Sequence, residues 1–251
     1  MDRTTTTAET DRTDDPVTRA RHALASTGVC LLPGDEVLGW AGVDPSEWAR
    51  FAAHWEDLSP DPYAAERGTR RLRRYGRFRL PASGAGPDPM PHRPFVQPQA
   101  SNPLYVEVDR HFDPLTRAFA SDPVLHALLG LLARAATALD DVGAWLAQVH
   151  PFRVVAPAGS KGEPTPEGMH HDGVTLVSSL LVARHNAAGG QSFVHDGEGR
   201  PLLEVTLGEP ADLLLGDDRR TLHGVAPLHS LDGENPARRD VLVTTLVPAE
   251  D

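Results

Sequence analysis

The chain has one cysteine, Cys30, in 251 residues, so no disulfide can form within it. Set in the apolar run "TGVCLLPG", that cysteine is expected to serve as a small buried hydrophobe rather than a reactive thiol. Basic residues are in deficit: 24 Lys and Arg face 35 Asp and Glu, for a formal net charge of −11. A surface so acidic repels phosphate backbones and anionic headgroups, so neither nucleic acid nor membrane is an expected partner. No run of apolar residues is long enough to cross a bilayer, and "MDRTTTTAETDRTDDP" lacks the basic-then-apolar order of a secretory signal. The expected location is the cytoplasm. No internal repeat is present, and nothing in the composition bears on oligomeric state.

The length suits a single domain with a sizeable core. Residues 1–16 carry almost no large apolar side chain and are expected to be a disordered acidic tail, with one domain over 17–251. Its first part, 17–144, reads as helical and irregular. In "DPSEWARFAAHWEDL", Ser46 stands as the candidate N-cap of a helix that places Trp48, Phe51, Ala52 and Trp55 on one face. "TRRLRRYGRFRLP" alternates basic and apolar residues and reads as a solvated cationic strand or loop edge, with no site assigned to it. Residues 81–114 are rich in turn formers, and a helix follows with Asp122 as cap and Pro123 in its first turn.

After Trp145 the pattern changes. "WLAQVHPFRVVAP", "GVTLVSSLLVAR", "GQSFVHD", "PLLEVTL", "ADLLLGD" and "RRDVLVTTLVP" are short β-branched runs parted by Gly, Pro, Asn and Asp. No crossover helices separate them, which disfavours a parallel sheet. The fold class expected is mostly β with flanking helices: a double-stranded β-helix, cupin-like jelly roll with its core at 145–247.

Chemistry concentrates in "TPEGMHHDGV". On an extended backbone, residues two apart share a face, so His170 and Asp172 converge while His171 points away. A His-x-Asp pair can supply two metal ligands, although the same tripeptide is also an ordinary polar turn. His223, in "LLLGDDRRTLHGVAPL", follows several strands later and is the candidate third ligand. Two histidines and a carboxylate on one octahedral face leave three positions open, the donor set of non-haem Fe(II) oxygenases. Further on, "ARRDVLVTTLVP" opens a Val-rich strand with two arginines. A buried arginine requires a carboxylate partner, which a dicarboxylate such as 2-oxoglutarate would provide. Alternation aligns Arg239 with Val241 and Val243 and turns Arg238 the other way, so only one of the two reaches a cavity.

With "RRYGRF", "PHRPFVQPQASNPLYVEVDRHFDPL", "VHPFRVVAPAGSKGEPTPEGMHHDGV", "NAAGGQSFVHD", "LLLGDDRRTLHGVAPL" and "RRDVLVTTL", the chain resembles the bacterial 2-oxoglutarate/Fe(II) dioxygenases of the L-isoleucine dioxygenase type, free amino acid hydroxylases. The likeness runs over roughly residues 70–247 and leaves the role of 1–69 open. It implies that His170, Asp172 and His223 hold iron, that Arg239 anchors 2-oxoglutarate, and that O2 is consumed, with ascorbate as a reductant in vitro. It also implies a small-molecule substrate, a free L-amino acid or close derivative hydroxylated on its side chain, with release of succinate and CO2. Desaturation and cyclisation remain open. The presence of Asp172 disfavours halogenation, because halogenases of this mechanism lack the carboxylate ligand. Gln148, His150, Arg93 and Arg153 are the candidate substrate contacts, with Arg184 a further arginine able to meet a carboxylate. Two other classes stay in view: a cupin-like metal enzyme independent of 2-oxoglutarate, for which Arg239 is dispensable, and a non-catalytic jelly-roll binding module.

Overall fold

The computed structural model describes residues 15–66, 68–95 and 109–250. The expected disordered tail therefore falls outside the described residues, apart from its last two: Asp15 caps the first helix and Pro16 opens it. Residues 96–108 of the turn-rich 81–114 stretch also lie outside them. The helices are α1 (Pro16–Ser26), α2 (Gly34–Ala41), α3 (Pro45–Ala52), α4 (Pro62–Ala65), α5 (Arg117–Ala120) and α6 (Pro123–Ala136), with a 3-10 turn at Ala53–Asp57. The strands before residue 144 are short: β1 (Val29–Leu32), β2 (Ser59–Pro60), β3 (Arg70–Arg73), β4 (Gly76–Pro81) and β5 (Asp88–Pro89). Next come β6 (Ala144–Ala156), β7 (Lys161–Gly162), β8 (Leu176–His185), β9 (Ala187–Gly189) and β10 (Ser192–Asp196). The chain closes with β11 (Pro201–Val205), β12 (Leu213–Asp217), β13 (Thr221–Val225), β14 (Leu228–Ser230) and β15 (Ala237–Pro248).

The large sheet runs β1-β12-β8-β15-β6-β3-β2, with β4 also on β6 and β5 on β4. Facing it is a small sheet, β11-β10-β13, and a third group, β7-β14-β9, packs Leu228 against Val154 and Ala156 of β6 and Ala237 of β15. All paired strands are antiparallel, as expected for a jelly roll with no crossover helices. This is the mostly-β double-stranded β-helix with flanking helices that the strand pattern anticipated.

Period-two alternation divides the long strands between two cores. Trp145, Ala147 and Val149 of β6, with Leu242 and Leu246 of β15, turn outward and pack beneath α6, which buries Leu125, Leu128, Leu129 and Leu132. Gln148, His150, Phe152 and Val154 of β6 turn inward with Arg239, Val241 and Val243 of β15, toward the small sheet. The outer core extends to α3, where Phe51 sits edge-on to Trp55 and Phe119 at 5.5 and 5.7 Å. The cap of α3 differs from expectation. Asp44 accepts from the backbone of Ser46 and Glu47, and Glu47 accepts from the Asp44 N–H in return, so this capping box together with Pro45 at the first position leaves Ser46 inside the helix. At α6 the cap is the expected one: the Asp122 carboxylate accepts from the Val124 N–H at 2.8 Å.

Cys30 is buried against this core, and desolvation pushes its thiol up to about 11. The folded protein at pH 8 is expected to leave Cys30 unmodified by iodoacetamide, with labelling only after denaturation, as read by intact mass. Phe51→Ala, which empties the centre of the aromatic cluster, is expected to lower unfolding free energy by about 3–5 kcal/mol in a denaturant titration.

Candidate active site

His170 and His223 are joined by the backbone before any ligand is considered. Each N–H donates to the other's carbonyl at 3.0 Å, an isolated antiparallel bridge that adds residue 170 to the free edge of β13. Directly opposed residues in such a bridge project to the same side, and the two rings lie 4.4 Å apart between centroids. The following turn brings Asp172 to them: its carboxylate is 3.9 Å from His170 Nε2 and 3.5 Å from His223 Nε2. One donor atom from each of the three falls within 4.8 Å of the others, a group able to hold a metal ion.

The ring orientations suit that role. His170 Nδ1 donates to the Gly168 carbonyl at 2.9 Å, leaving Nε2 to face its partners, while His223 turns Nδ1 toward Asp218, 3.6 Å away, and Nε2 toward Asp172. Burial raises the Asp172 carboxyl, but the hydrogen bond and charge of His223 and the charge of His170 outweigh it and bring the group down to about 2. For His223 burial opposes protonation, and the Asp172 hydrogen bond and charge prevail, raising it above its ordinary value. Two imidazoles and a carboxylate so placed match the mixed N/O donor set of Fe(II) oxygenase sites.

Asp218 was not anticipated from sequence. Its buried carboxylate accepts from the N–H groups of Asp172, Gly173 and Val174 at 3.0, 2.7 and 3.0 Å. Its own carbonyl accepts from His171 Nδ1 at 2.6 Å, so His171 is engaged away from the triad, as alternation predicted. Asp218 stands in "GDDRR", where a surface turn is the ordinary reading, and the only cue was a second Asp directly after an apolar strand.

A cavity of about 300 Å³ lies between the sheets and includes the triad, Glu167, Arg71, Arg73, Arg110 and Arg239 in its wall. Arg239 is almost fully buried, and its Nε and Nη2 have no hydrogen-bond partner. Burial, aided by the charge of neighbouring Arg184, lowers its guanidinium to about 10. Arg184 is tied down by the Ala187 and Gly189 carbonyls, each accepting at 2.9 Å. A Cβ on Gly190 would stand 3.5 Å from the Arg239 Cδ and 3.3 Å from Arg184 Nη1, and with φ at +73° the position belongs to glycine. Buried, cationic and rich in open donors, Arg239 fits a carboxylate of the size of one end of 2-oxoglutarate.

Of the other candidates, Gln148 and His150 reach the cavity and Arg93, Arg153 and Arg238 do not. Arg153 lies on the opposite face of β6, forked onto Asp240 at 2.7 and 2.8 Å and also paired with Glu56, so no donor pair remains for a ligand. Arg238 lies beside Glu56 on that same side. Arg93 is exposed on the extended run that precedes Phe95. A larger correction concerns "TRRLRRYGRFRLP". Instead of a solvated edge, β3 pairs with β6 and directs Arg71 and Arg73 inward, because the β3 register aligns them with the cavity-facing Val154 and Phe152.

Two opposed antiparallel sheets, with two histidines and one carboxylate converging between them, define the class of non-haem metal oxygenases built on the double-stranded β-helix. Within that class the chain belongs to the 2OG-Fe dioxygenase family, whose model matches residues 52–245. The chain is similar to a bsmA homolog from Methylobium petroleophilum PM1, with 30% identity, coverage of 93% of each chain and a TM-score of 0.82. It shares its fold with IDO from Bacillus thuringiensis (18% identity, TM-score 0.77, 93% of this chain and 100% of that one). The same holds for the Fe(II)/(alpha)ketoglutarate-dependent dioxygenase TqaL (18% identity, TM-score 0.74, 94% and 87%). No curated protein matches the chain. The family uses Fe(II), 2-oxoglutarate and O2, so neither a 2-oxoglutarate-independent cupin nor a non-catalytic module accounts for this chain. No helix among the described residues is long and apolar enough to cross a membrane.

Asp218→Ala, which frees three backbone donors around Asp172, is expected to weaken Fe(II) binding about 10- to 100-fold in anaerobic equilibrium dialysis. Asp218→Asn, which keeps one acceptor oxygen, should fall between that variant and the parent.

Proposed function

We propose that this chain hydroxylates the side chain of a free L-amino acid or a close derivative, using Fe(II) on His170, Asp172 and His223 and 2-oxoglutarate anchored on Arg239. The observation that carries the substrate reading is the character of the cavity. At about 300 Å³ it is at the small end of ligand sites. It also offers both signs of charge around an apolar middle of Phe95, Phe152, Val177, Leu214 and Val241. Arg71 and Arg73 stand on β3 and Arg239 on β15, two strands away, and Glu167, 3.6 Å from His170, stands by the triad. A zwitterion of modest size with an aliphatic side chain is complementary to that lining, and the motif resemblance to free amino acid hydroxylases points the same way.

Bound at the triad, iron together with 2-oxoglutarate and O2 supplies the oxidising chemistry, with succinate and CO2 as the co-products. The chain's own contribution is placement and exclusion of water. The Gly168 carbonyl holds the His170 ring with Nε2 inward, and the Asp218 carboxylate lies 3.6 Å from His223 Nδ1, on the side of the ring away from Asp172. Arg239, paired across the sheet with Val154 and two residues before Val241 on its own strand, offers its fork to the distal carboxylate of 2-oxoglutarate. Burial, and next the charge of Arg73, keep His150 well below the ordinary histidine range, which favours its neutral ring. Because Arg73 Nη2 donates to His150 Nδ1 at 2.6 Å, the proton of that neutral ring resides on Nε2.

The test incubates purified protein with Fe(II), ascorbate, 2-oxoglutarate and a panel of free L-amino acids, following succinate and product mass together. One amino acid is expected to gain a single oxygen atom with equimolar succinate. Succinate formed with no amino acid modified would remove the substrate assignment and leave the family chemistry standing. Arg239→Ala is expected to raise the KM for 2-oxoglutarate by at least about 30-fold, the effect of truncating one side of a buried charge pair.

A further inference from the structure

We propose that Arg73, supported by Arg110, forms a carboxylate-binding site for the substrate, separate from the Arg239 corner. This deepens the hydroxylase reading and rests on it, since it assigns the substrate's acid group to a place in the same cavity.

Arg73 is fully enclosed, with 3% of its side chain exposed, yet no carboxylate meets it at hydrogen-bond distance. Asp61 lies nearest, at 3.8 Å, and its oxygens are already engaged: Oδ2 by Arg71 Nε at 2.8 Å, Oδ1 by the N–H groups of Tyr63 and Ala64 at 3.0 and 3.1 Å. Arg73 Nε has no partner. What holds the guanidinium is one hydrogen bond to a neutral ring, from Nη2 to His150 Nδ1 at 2.6 Å, together with aromatic contacts. Its Cζ lies 3.6 Å from the Phe112 ring centroid and 4.5 Å from that of Phe152, contacts that position a cation without neutralising it. Arg110, whose Cζ is 4.7 Å from the Phe95 centroid, brings a second guanidinium to the same part of the wall. Desolvation, and after it the charge of Arg71, drives Arg73 well below its ordinary range, the mark of a buried cation short of counter-charge.

The lining as a whole is cationic inside an acidic protein. Among the described residues the wall carries Arg71, Arg73, Arg110 and Arg239 against Glu167 and Asp172, before any divalent metal is added. Arg71 is matched by Asp61. A dicarboxylate co-substrate together with Asp172 offsets Arg239 and the metal, and the charge of Arg73 persists. In the large sheet Arg73 is two strands over from β15, in the row of Phe152 and Val241, about 10 Å across the sheet, so a second anion fits without displacing the first. His150 follows Phe152 on the inward face of β6 and lies close enough to Asp172 to feel its charge. A molecule held by its acid group at Arg73 therefore extends past Phe95, Phe152 and His150 toward the triad, which presents its side chain to the metal.

The experiment is calorimetric titration of anaerobic holoenzyme, carrying Fe(II) and saturating 2-oxoglutarate. The probes are aliphatic L-amino acids, their 2-hydroxy and plain carboxylic acid counterparts, and the primary amides of the same amino acids. Acids are expected to bind about 30-fold or more tightly than the matching amides. R73Q should reduce that ratio to within about threefold, and R73K, which keeps the charge but not the fork, should retain part of it. Equal binding of acids and amides by the parent protein, an unchanged ratio in R73Q, or no binding of any acid overturns the proposal. The parent comparison requires no variant and so stands even if R73Q does not fold. Binding of hydroxy or plain acids without amino acids supports the acid site and removes the amino acid reading. Amino acids bound no better than their amides do the reverse.

Discussion

The buried carboxylate of Asp218 connects what the rest of the site requires to be connected. The proposed iron ligands come from two segments, the turn at 170–172 and β13, and neither has long regular pairing to hold it against the other. A single reciprocal bridge between His170 and His223 sets their separation. Asp218 then gathers the N–H groups of residues 172–174 and stands beside His223 Nδ1. A buried carboxylate that accepts three backbone N–H groups is satisfied only in one arrangement of that turn, and an unpaired buried anion is costly, so the arrangement is enforced electrostatically. The direction of Asp172, and with it the triad, follows.

Charge is distributed in the opposite sense inside and out. The chain is strongly acidic overall, yet arginine is directed into the space between the sheets. Arg239 and Arg184 sit side by side on β15 and β8, and Arg71 and Arg73 follow on β3. Like charges buried together are unfavourable in the isolated protein, so the fold carries a standing preference for anions at defined places. The 2-oxoglutarate that the family uses meets it with two carboxylates.

Two arginine-bearing strands show how far sequence patterns carry. At β15 alternation put Arg239 and Arg238 on opposite faces, and the family resemblance picked Arg239, the one that lines the cavity. At β3 the same alternation misled: four arginines in "RRLRR" outweighed the one leucine and read as solvent-facing. What reversed that assignment was pairing with β6, whose inward face was itself visible only once β15 and the small sheet were in place. Arg153 failed for a related reason. It belongs to the correct strand but to the wrong face, where Asp240 of the neighbouring strand claims its fork. Ser46 gave way to Asp44 because Pro45 moved the first helical position, a local effect that the sequence did contain.

The sequence by itself determined the antiparallel β architecture, the helical layer and the residues offered as metal ligands. Period-two apolar runs without crossover helices, and a His-x-Asp pair followed by a later His, are local or nearly local signals that follow from backbone geometry and donor chemistry. Tertiary structure alone decided which charges face the cavity and which are consumed elsewhere. Whether Arg73 is a surface charge or a buried cation, and whether Asp218 is a turn residue or the tie between two ligand segments, depends on partners distant in the chain, and burial changes the energy of a charge far more than its identity or its neighbours in sequence do.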